Sequence, residues 1–97
     1  MSIASRNPGQ TELKGKFAFA SAQFLVRGIL THYSAADRRL IRNEIFARYG
    51  YIFKSEDLKK YFGSQDWYKP QFNKVTDRLT DLEKLNIRLI MDFKDDK

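Results

Sequence analysis

The clearest pattern along the chain is a helical run of apolar positions over residues 35–49. Ser34 stands immediately before this run, where its hydroxyl can accept a hydrogen bond from the first turn of a helix. Asp37 places an acid in that first turn, near the positive end of the helix dipole. Gly50 follows the run and suits the left-handed conformation that ends many helices. The pattern therefore predicts one well-capped helix over residues 35–49.

Two further helices are predicted downstream, on either side of a loop. Ser55 supplies a capping signal for a short apolar run that Gly63 ends. Pro70 restricts the residue before it to extended conformations, so residues 63–73, which include the sole tryptophan, are predicted as a loop. Thr76, with an acid directly behind it, is the predicted N-cap of the last helix.

The residues before Ser34 give less definite signals. Residues 1–15 contain Asn7-Pro8-Gly9 and almost no apolar periodicity, which predicts a flexible N-terminal arm. Residues 16–20 alternate aromatic residues with alanine, a weak strand pattern, and residues 24–30 suit a short helix. The sequence thus predicts an all-α fold: a small single domain in residues 16–97, built as an orthogonal bundle of three to four helices with a tryptophan-containing loop.

Polar side chains interrupt the apolar faces of the two longer helices. At about 100° per residue, Glu44 and Arg48 fall inside the apolar arc of the first, four residues apart and in the favourable order for an ion pair. Asn86 projects into the middle of the arc of the last helix, which runs to Phe93. Buried polar groups need hydrogen-bond partners.

These positions predict a structural polar network that ties the helix over residues 35–49 to the last helix and to the Trp67 loop. Its predicted members are Asn43, Glu44, Arg48 and Asn86. The alternative is a ligand pocket in which Arg48 would hold a carboxylate or a phosphate. We favour the structural interpretation, because the helical periodicity already accounts for each position.

Composition fits one globular domain with a modest core. The 97 residues are 42% hydrophobic, 14% aromatic and 31% charged, and they include no cysteine, which excludes disulfides and thiolate chemistry within them. No apolar run reaches the about 20 residues that a membrane span needs. We therefore expect no membrane span and no targeting segment within this chain, and a monomeric state.

The net charge of +6 would suit an anionic partner, although twelve acids are interspersed among the eighteen bases. Arg38, Arg39 and Arg42 cluster on the predicted outer face of the helix over residues 35–49, where they could contact phosphates. Tyr68 could stack on a base, or present an aromatic face to a glycan or peptide beside Lys69. These five residues form the candidate contact surface, and a merely solvated face is the favoured alternative. Trp67 is assigned to the core.

Signals for catalysis are weak. His32 is the sole histidine and has no cysteine to join it, which argues against a metal site. The sequence has no glycine-rich phosphate loop, Gly-x-Ser-x-Gly elbow or His-Glu-x-x-His run. Caps, helix dipoles and salt bridges explain the carboxylates more simply than an acid–base pair does. We expect no enzyme activity, no metal and no cofactor.

The segment Phe46-Ala47-Arg48-Tyr49-Gly50 resembles the Tyr-Ala-Arg-His-Gly signature of the YARHG family. The resemblance spans residues 21–93 in four ordered blocks: Arg42-Asn43-Glu44-Ile45 with the signature, Tyr51-Ile52-Phe53, Trp67-Tyr68 with Pro70, and Glu83 with Asn86-Ile87. Phe46 replaces the signature tyrosine and Tyr49 its histidine. No proton-transfer role of an imidazole can therefore apply at residue 49.

The resemblance implies a small helical module of bacterial secreted, lipid-anchored or envelope proteins, often appended to other domains and without an established activity. It implies an extracytoplasmic location. We therefore predict a non-catalytic, envelope-associated or secreted accessory or binding module of unknown ligand, whose partner is a cell-envelope component or another protein domain. The alternative is a small basic nucleic-acid-binding helical domain.

Overall fold

The computed structural model describes residues 14–93, and this part of the chain folds into four α-helices and two 3-10 helices. In chain order they are a first 3-10 helix at Ala18–Ser21, α1 at Arg27–Leu30, α2 at Ala35–Arg48, α3 at Glu56–Gly63, a second 3-10 helix at Thr76–Arg78, and α4 at Asp81–Asp92. Within residues 14–93 there is no strand, only an isolated parallel bridge between Tyr51 and Phe72. The predicted all-α class is confirmed.

The predicted arm over residues 1–15 falls mainly on residues 1–13, which lie outside the described residues. Its last two residues, Lys14 and Gly15, do contact α2, as detailed below. None of the helices within residues 14–93 is both long enough and apolar enough to cross a membrane.

Helix α2 begins and ends as its sequence predicts. The Ser34 hydroxyl accepts a hydrogen bond from the Asp37 backbone N–H at 3.0 Å. Gly50 adopts a φ of +85°, and a Cβ atom there would lie 2.9 Å from the Lys69 carbonyl oxygen. A glycine is therefore required both by the backbone conformation and by the close approach of the tryptophan-containing loop.

Helix α4 begins later than predicted. Thr76 opens only a short 3-10 turn, and the true N-cap of α4 is Thr80. Thr80 and Glu83 form a capping box: the Thr80 hydroxyl accepts from the Glu83 backbone N–H at 3.1 Å, and the Glu83 carboxylate accepts from the Thr80 N–H at 2.9 Å. Thr76 has Leu79 at the matching position, so it cannot form this reciprocal pair.

Residues 16–20 do not form the strand that their weak alternating pattern suggested. They lead into the first 3-10 helix instead. Phe17 and Ala20, three residues apart, are both buried, a spacing that suits a helical turn. Helix α3 differs in smaller ways: Ser55 occupies its N-cap without a side-chain capping bond, and Gly63 is its last residue without a positive φ.

Two hydrophobic clusters hold these elements together. The first joins α2, α4 and the N-terminal segment, and its buried members are Phe17, Ala20, Leu25, Leu30, Ile41, Ile45, Ile87 and Ile90. The second joins α2 to α3 through Ala47, Phe53, Leu58 and Phe62. Trp67, which the sequence assigned to the core, is half-buried and packs against this second cluster, with its ring centroid 6.3 Å from that of Phe62.

Candidate functional site

A buried ion pair lies at the C-terminal end of α2. The Nη1 atom of Arg48 is 2.8 Å from the Oε1 atom of Glu44, and the two side chains are 6% and 2% exposed. Both side chains are thus shielded from solvent. A pair this deeply buried is stable only when further hydrogen bonds satisfy both charges.

The N-terminal segment supplies those bonds to the Glu44 carboxylate. The backbone N–H groups of Lys16 and Phe17 donate to its two oxygens at 2.8 and 2.7 Å. Gly15 has a φ of +108°, and a Cβ atom there would lie 2.3 Å from the Glu44 Cδ atom. Gly15 therefore lets the backbone wrap closely around the carboxylate.

The Arg48 guanidinium is held equally firmly. Its Nε and Nη2 atoms donate to the Ser21 hydroxyl at 3.1 and 2.7 Å, and Nη1 donates to the Lys14 carbonyl at 2.7 Å. With the bond to Glu44, four of the five N–H donors of this side chain are used. The ion pair thus anchors the segment from Lys14 to Ser21 onto α2.

Asn86 anchors the next part of the same segment onto α4. Its Oδ1 atom accepts from the Leu25 N–H at 2.9 Å, and its Nδ2 atom donates to the carbonyls of Ala20 and Gln23 at 2.8 and 2.9 Å. These bonds satisfy a carboxamide in a residue that is only 2% exposed.

The four residues predicted to form one polar network therefore occupy three separate sites. Within residues 14–93, Asn86 and the ion pair share no hydrogen bond, and the one partner of Asn43 is the Arg39 carbonyl of its own helix, at 2.9 Å. The polar residues tie α2 and α4 to the N-terminal segment, not to the Trp67 loop. Asn43 and Glu44 separate because consecutive helical residues point about 100° apart.

The residue at the signature histidine position joins α2 directly to α4. The Tyr49 hydroxyl donates to the Glu83 carboxylate at 2.6 Å, and Glu83 is 2% exposed. Burial, followed by this hydrogen bond, raises the pKa of Tyr49 to about 12. Glu83 was not among the predicted site residues, although the Thr80-to-Glu83 capping box gives it a recognisable sequence signal.

Arg38, one of the five predicted contact residues, lies in the interior. This residue is 7% exposed, donates to the carbonyls of Leu30 and Tyr33, and stacks its guanidinium 4.3 Å from the centroid of the Phe93 ring. The prediction of an outer-face position is wrong, because the segment just before α2 supplies the carbonyl acceptors and the distant Phe93 ring covers the guanidinium.

The other four predicted contact residues differ in their partners and in their exposure. Arg39 pairs with Asp57 of α3, and hydrogen bonding to Arg39 is the main cause that lowers the pKa of Asp57 to about 2. The Tyr68 hydroxyl donates inward to the Tyr51 carbonyl. Arg42 is half-buried and Lys69 is exposed.

A half-open groove runs along the side of α2 that carries Asn43. The groove, which we call the α2 groove, has a volume of about 300 Å³ and is lined by Asn43, Phe46, Tyr51, Asn73, Lys74, Val75 and Thr76. The rings of Phe46 and Tyr51 meet at 53°, with their centroids 6.0 Å apart. Asn43 was predicted as a member of a structural network rather than of a groove. No sequence signal indicated residues 73–76 as part of a site, and Thr76 was predicted only as a helix cap.

The carboxamide of Asn43 is the main polar feature of this groove. The residue is 7% exposed, and its Nδ2 atom is fixed by the Arg39 carbonyl. Its Oδ1 atom accepts no hydrogen bond from any described residue. A buried acceptor in this condition is suited to a ligand N–H or O–H group. Elsewhere, acidic and histidine side chains within residues 14–93 form no group that could hold a metal ion.

The fold and these anchors define a small helical module whose N-terminal segment is bonded to α2 and α4 by buried polar side chains. The chain belongs to the YARHG domain family, whose model matches residues 18–95. This family is generally extracytoplasmic. No curated protein and no solved structure matched the chain. Glu44 and Arg48 bond to backbone groups of Lys14, Lys16 and Phe17, which lie just before the matched range.

Proposed function

We propose that this chain is a non-catalytic accessory module that binds a partner outside the cytoplasm, in the bacterial envelope or in a secreted protein. The observation that carries this proposal is membership of the YARHG family over residues 18–95. The partner would be a cell-envelope component or another protein domain, and the α2 groove offers a concave surface for it.

The use of the buried charges supports a non-catalytic role. Glu44 and Glu83 each accept several hydrogen bonds from the protein itself. The Arg48 guanidinium likewise donates to Lys14 and Ser21 of the N-terminal segment. A general acid or base must instead reach the proton that it transfers to or from a substrate. These side chains maintain the fold, and their bonds leave little capacity for chemistry.

Nucleic-acid binding is the weaker alternative. It would need exposed cations arranged along one face, since phosphate contacts supply most of the affinity. Arg38 is buried, Arg39 is paired with Asp57, and the Tyr68 hydroxyl bonds to the Tyr51 carbonyl. Three of the five predicted contact residues are therefore already engaged within the fold and are poorly placed to contact a phosphate backbone.

A pair of binding assays tests the two functions against each other. The purified chain is sedimented with an insoluble bacterial envelope fraction, and in parallel it is titrated with labelled random DNA and RNA at several salt concentrations. We expect retention on the envelope fraction at physiological salt and no nucleic-acid shift. Nucleic-acid binding that weakens steeply with salt, together with no envelope retention, would overturn the proposal.

A cell fractionation experiment tests the location independently. The native gene is tagged at its chromosomal site and the tagged product is followed in cytoplasmic, envelope and medium fractions. We expect the product in the envelope or the medium. Its recovery in the cytoplasm alone would contradict the proposed location even if the chain bound envelope material in vitro.

A further inference from the structure

We propose that the α2 groove binds an extended peptide in which a small aliphatic residue stands next to an acidic one. This inference deepens the proposed function, on which it rests, by naming the site and the chemical class of the partner. It is built from three features of the groove: one fixed hydrogen-bond acceptor, an aromatic wedge and a positively charged rim.

The acceptor is the Oδ1 atom of Asn43. Because the Nδ2 atom of the same carboxamide is held 2.9 Å from the Arg39 carbonyl, the orientation of the amide is fixed before any ligand arrives. The ligand must therefore present a donor, and a peptide N–H group is a donor that every residue other than proline carries. This feature selects peptide main chain without demanding a particular side chain.

The aromatic wedge consists of Phe46 and Tyr51, with Val75 also lining the groove. Rings that meet at 53° present two inclined walls rather than one flat face. A sugar ring stacks best on a flat aromatic surface, whereas a branched aliphatic side chain can fill a wedge. The geometry thus favours a peptide bearing a small aliphatic residue over a glycan.

The walls of this wedge are held in place before binding. The Ile52 N–H donates to the Phe72 carbonyl at 2.8 Å, and the Phe72 N–H donates to the Gly50 carbonyl at 2.9 Å. These two bonds fix Tyr51 on one side of the groove and the start of residues 73–76 on the other. A preformed site loses less conformational entropy on binding.

The rim of the groove is positively charged. Among its lining residues Lys74 is the cation, and none is an acid. Arg42 lies one helical turn before the lining residue Phe46 on α2. An acidic residue beside the aliphatic one would meet this charge, which complements the overall charge of +6.

The test is a nuclear magnetic resonance titration of the whole, ¹⁵N-labelled chain. One ligand is a blocked tetrapeptide of sequence Ala-Val-Glu-Ala, and the matched control carries lysine in place of its glutamate. A trimer of N-acetylglucosamine is the glycan arm. We expect the acidic peptide to shift the side-chain amide signals of Asn43 and the backbone signals of Tyr51 and Val75. It should bind roughly tenfold more tightly than the lysine peptide, as one charge-assisted contact provides.

Two charge reversals at exposed lysines make the test specific. Lys74→Glu should abolish or invert the preference for the acidic peptide, whereas Lys84→Glu on α4 makes the same change of net charge away from the groove and should not. The inference fails if neither peptide shifts these signals, if the glycan binds there more tightly, or if the two variants behave alike.

The outcomes also separate this inference from the broader one. Retention on envelope material that Lys74→Glu leaves intact, with no peptide binding, would overturn the groove assignment and leave the proposed function standing. Peptide binding in the groove without envelope retention and with a cytoplasmic location would overturn the proposed function instead.

Discussion

The buried pair of Glu44 and Arg48 should be the most sensitive electrostatic feature of this fold. The perturbation is a double-mutant cycle made of Glu44→Gln, Arg48→Met and the combination. Both substitutions keep roughly the length of the side chain while removing its charge. Each single variant leaves the other charge buried, because the two side chains are only 2% and 6% exposed in the parent.

The structure indicates a large effect for each single variant. Breaking a buried ion pair by removing one partner typically costs about 3–5 kcal/mol. Arg48→Met also removes the bonds to Ser21 and Lys14, so we expect it near the upper end of that range. The N–H groups of Lys16 and Phe17 bond to different oxygens of the Glu44 carboxylate, and a glutamine amide has only one acceptor oxygen. Glu44→Gln should therefore cost a similar amount.

The double variant should cost much less than the two single variants together. It removes both charges, so neither is left unpaired in the interior, and the coupling between the substitutions should be at least about 2 kcal/mol. A loss of about 3 kcal/mol should lower the melting temperature of a domain this small by at least about 12 °C.

Urea unfolding, followed by the fluorescence of the single tryptophan, measures these free energies, because Trp67 packs against Phe62 in the folded state. The matched control is the exposed pair of Glu56 and Lys59 on α3, whose side chains are 89% and 58% exposed. The same cycle there should change the free energy of unfolding by under about 1 kcal/mol. Single variants at Glu44 and Arg48 that also stay within about 1 kcal/mol of the parent, or that add without coupling, would refute the reasoning.

Three further predictions concern the anchors around this pair. Gly15→Ala should destabilise the fold by at least about 1–3 kcal/mol from its backbone conformation alone. The control is Gly28→Ala, which should be neutral or stabilising because no atom lies within 4 Å of a Cβ added there. Equal melting temperatures of the two variants would contradict this prediction. Asn86→Ala should cost about 3 kcal/mol or more, since it leaves two buried backbone groups and one partly buried group without their partner, and a melting temperature within a degree of the parent would count against it. Tyr49 holds its proton more tightly in the folded state, because its pKa rises from 10.0 to about 12, so its contribution to stability is complete below pH 10 and is lost as the pH rises from 10 to 12. Tyr49→Phe should reduce this alkaline loss in urea unfolding, and an unchanged pH profile would show that the hydroxyl is not the cause.

The caps and the apolar periodicity of this sequence predict the helices well. Ser34 and Gly50 bound α2 because both signals are local: one side chain satisfies a nearby N–H, and one backbone conformation requires glycine. The same local rules contain the correct start of α4, since Thr80 and Glu83 form the full capping box. Thr76 misleads because a threonine followed by an acid resembles a cap until the third residue is considered.

Burial of polar residues is predictable from periodicity, but their partners are not. Glu44, Arg48 and Asn86 are buried, as their helical positions indicate. Their partners are mostly backbone N–H and carbonyl groups of residues 14–25, and every residue carries such groups, so no sequence signal distinguishes them. The burial of Arg38 escaped prediction for the same reason, because the acceptors are carbonyls of Leu30 and Tyr33.

The signature of the family makes physical sense as a junction, because its successive residues point in different directions from α2. Ala47 is 2% exposed and packs in the second cluster towards α3, while Arg48 turns to the N-terminal segment. Tyr49 reaches the capping glutamate of α4, and Gly50 admits the tryptophan-containing loop.

This arrangement also accounts for the residue that replaces the signature histidine. A buried carboxylate at Glu83 needs a donor from α2, and either a tyrosine hydroxyl or an imidazole N–H can donate to it. Tyr49 thus makes the contact between α2 and α4 with a group that does not titrate near neutral pH, as an imidazole would. Phe46 differs, because it lines the α2 groove rather than the junction. Under the proposed binding role of the α2 groove, variation at residue 46 is expected to change what the groove accepts, whereas variation at residue 49 is constrained by the fold.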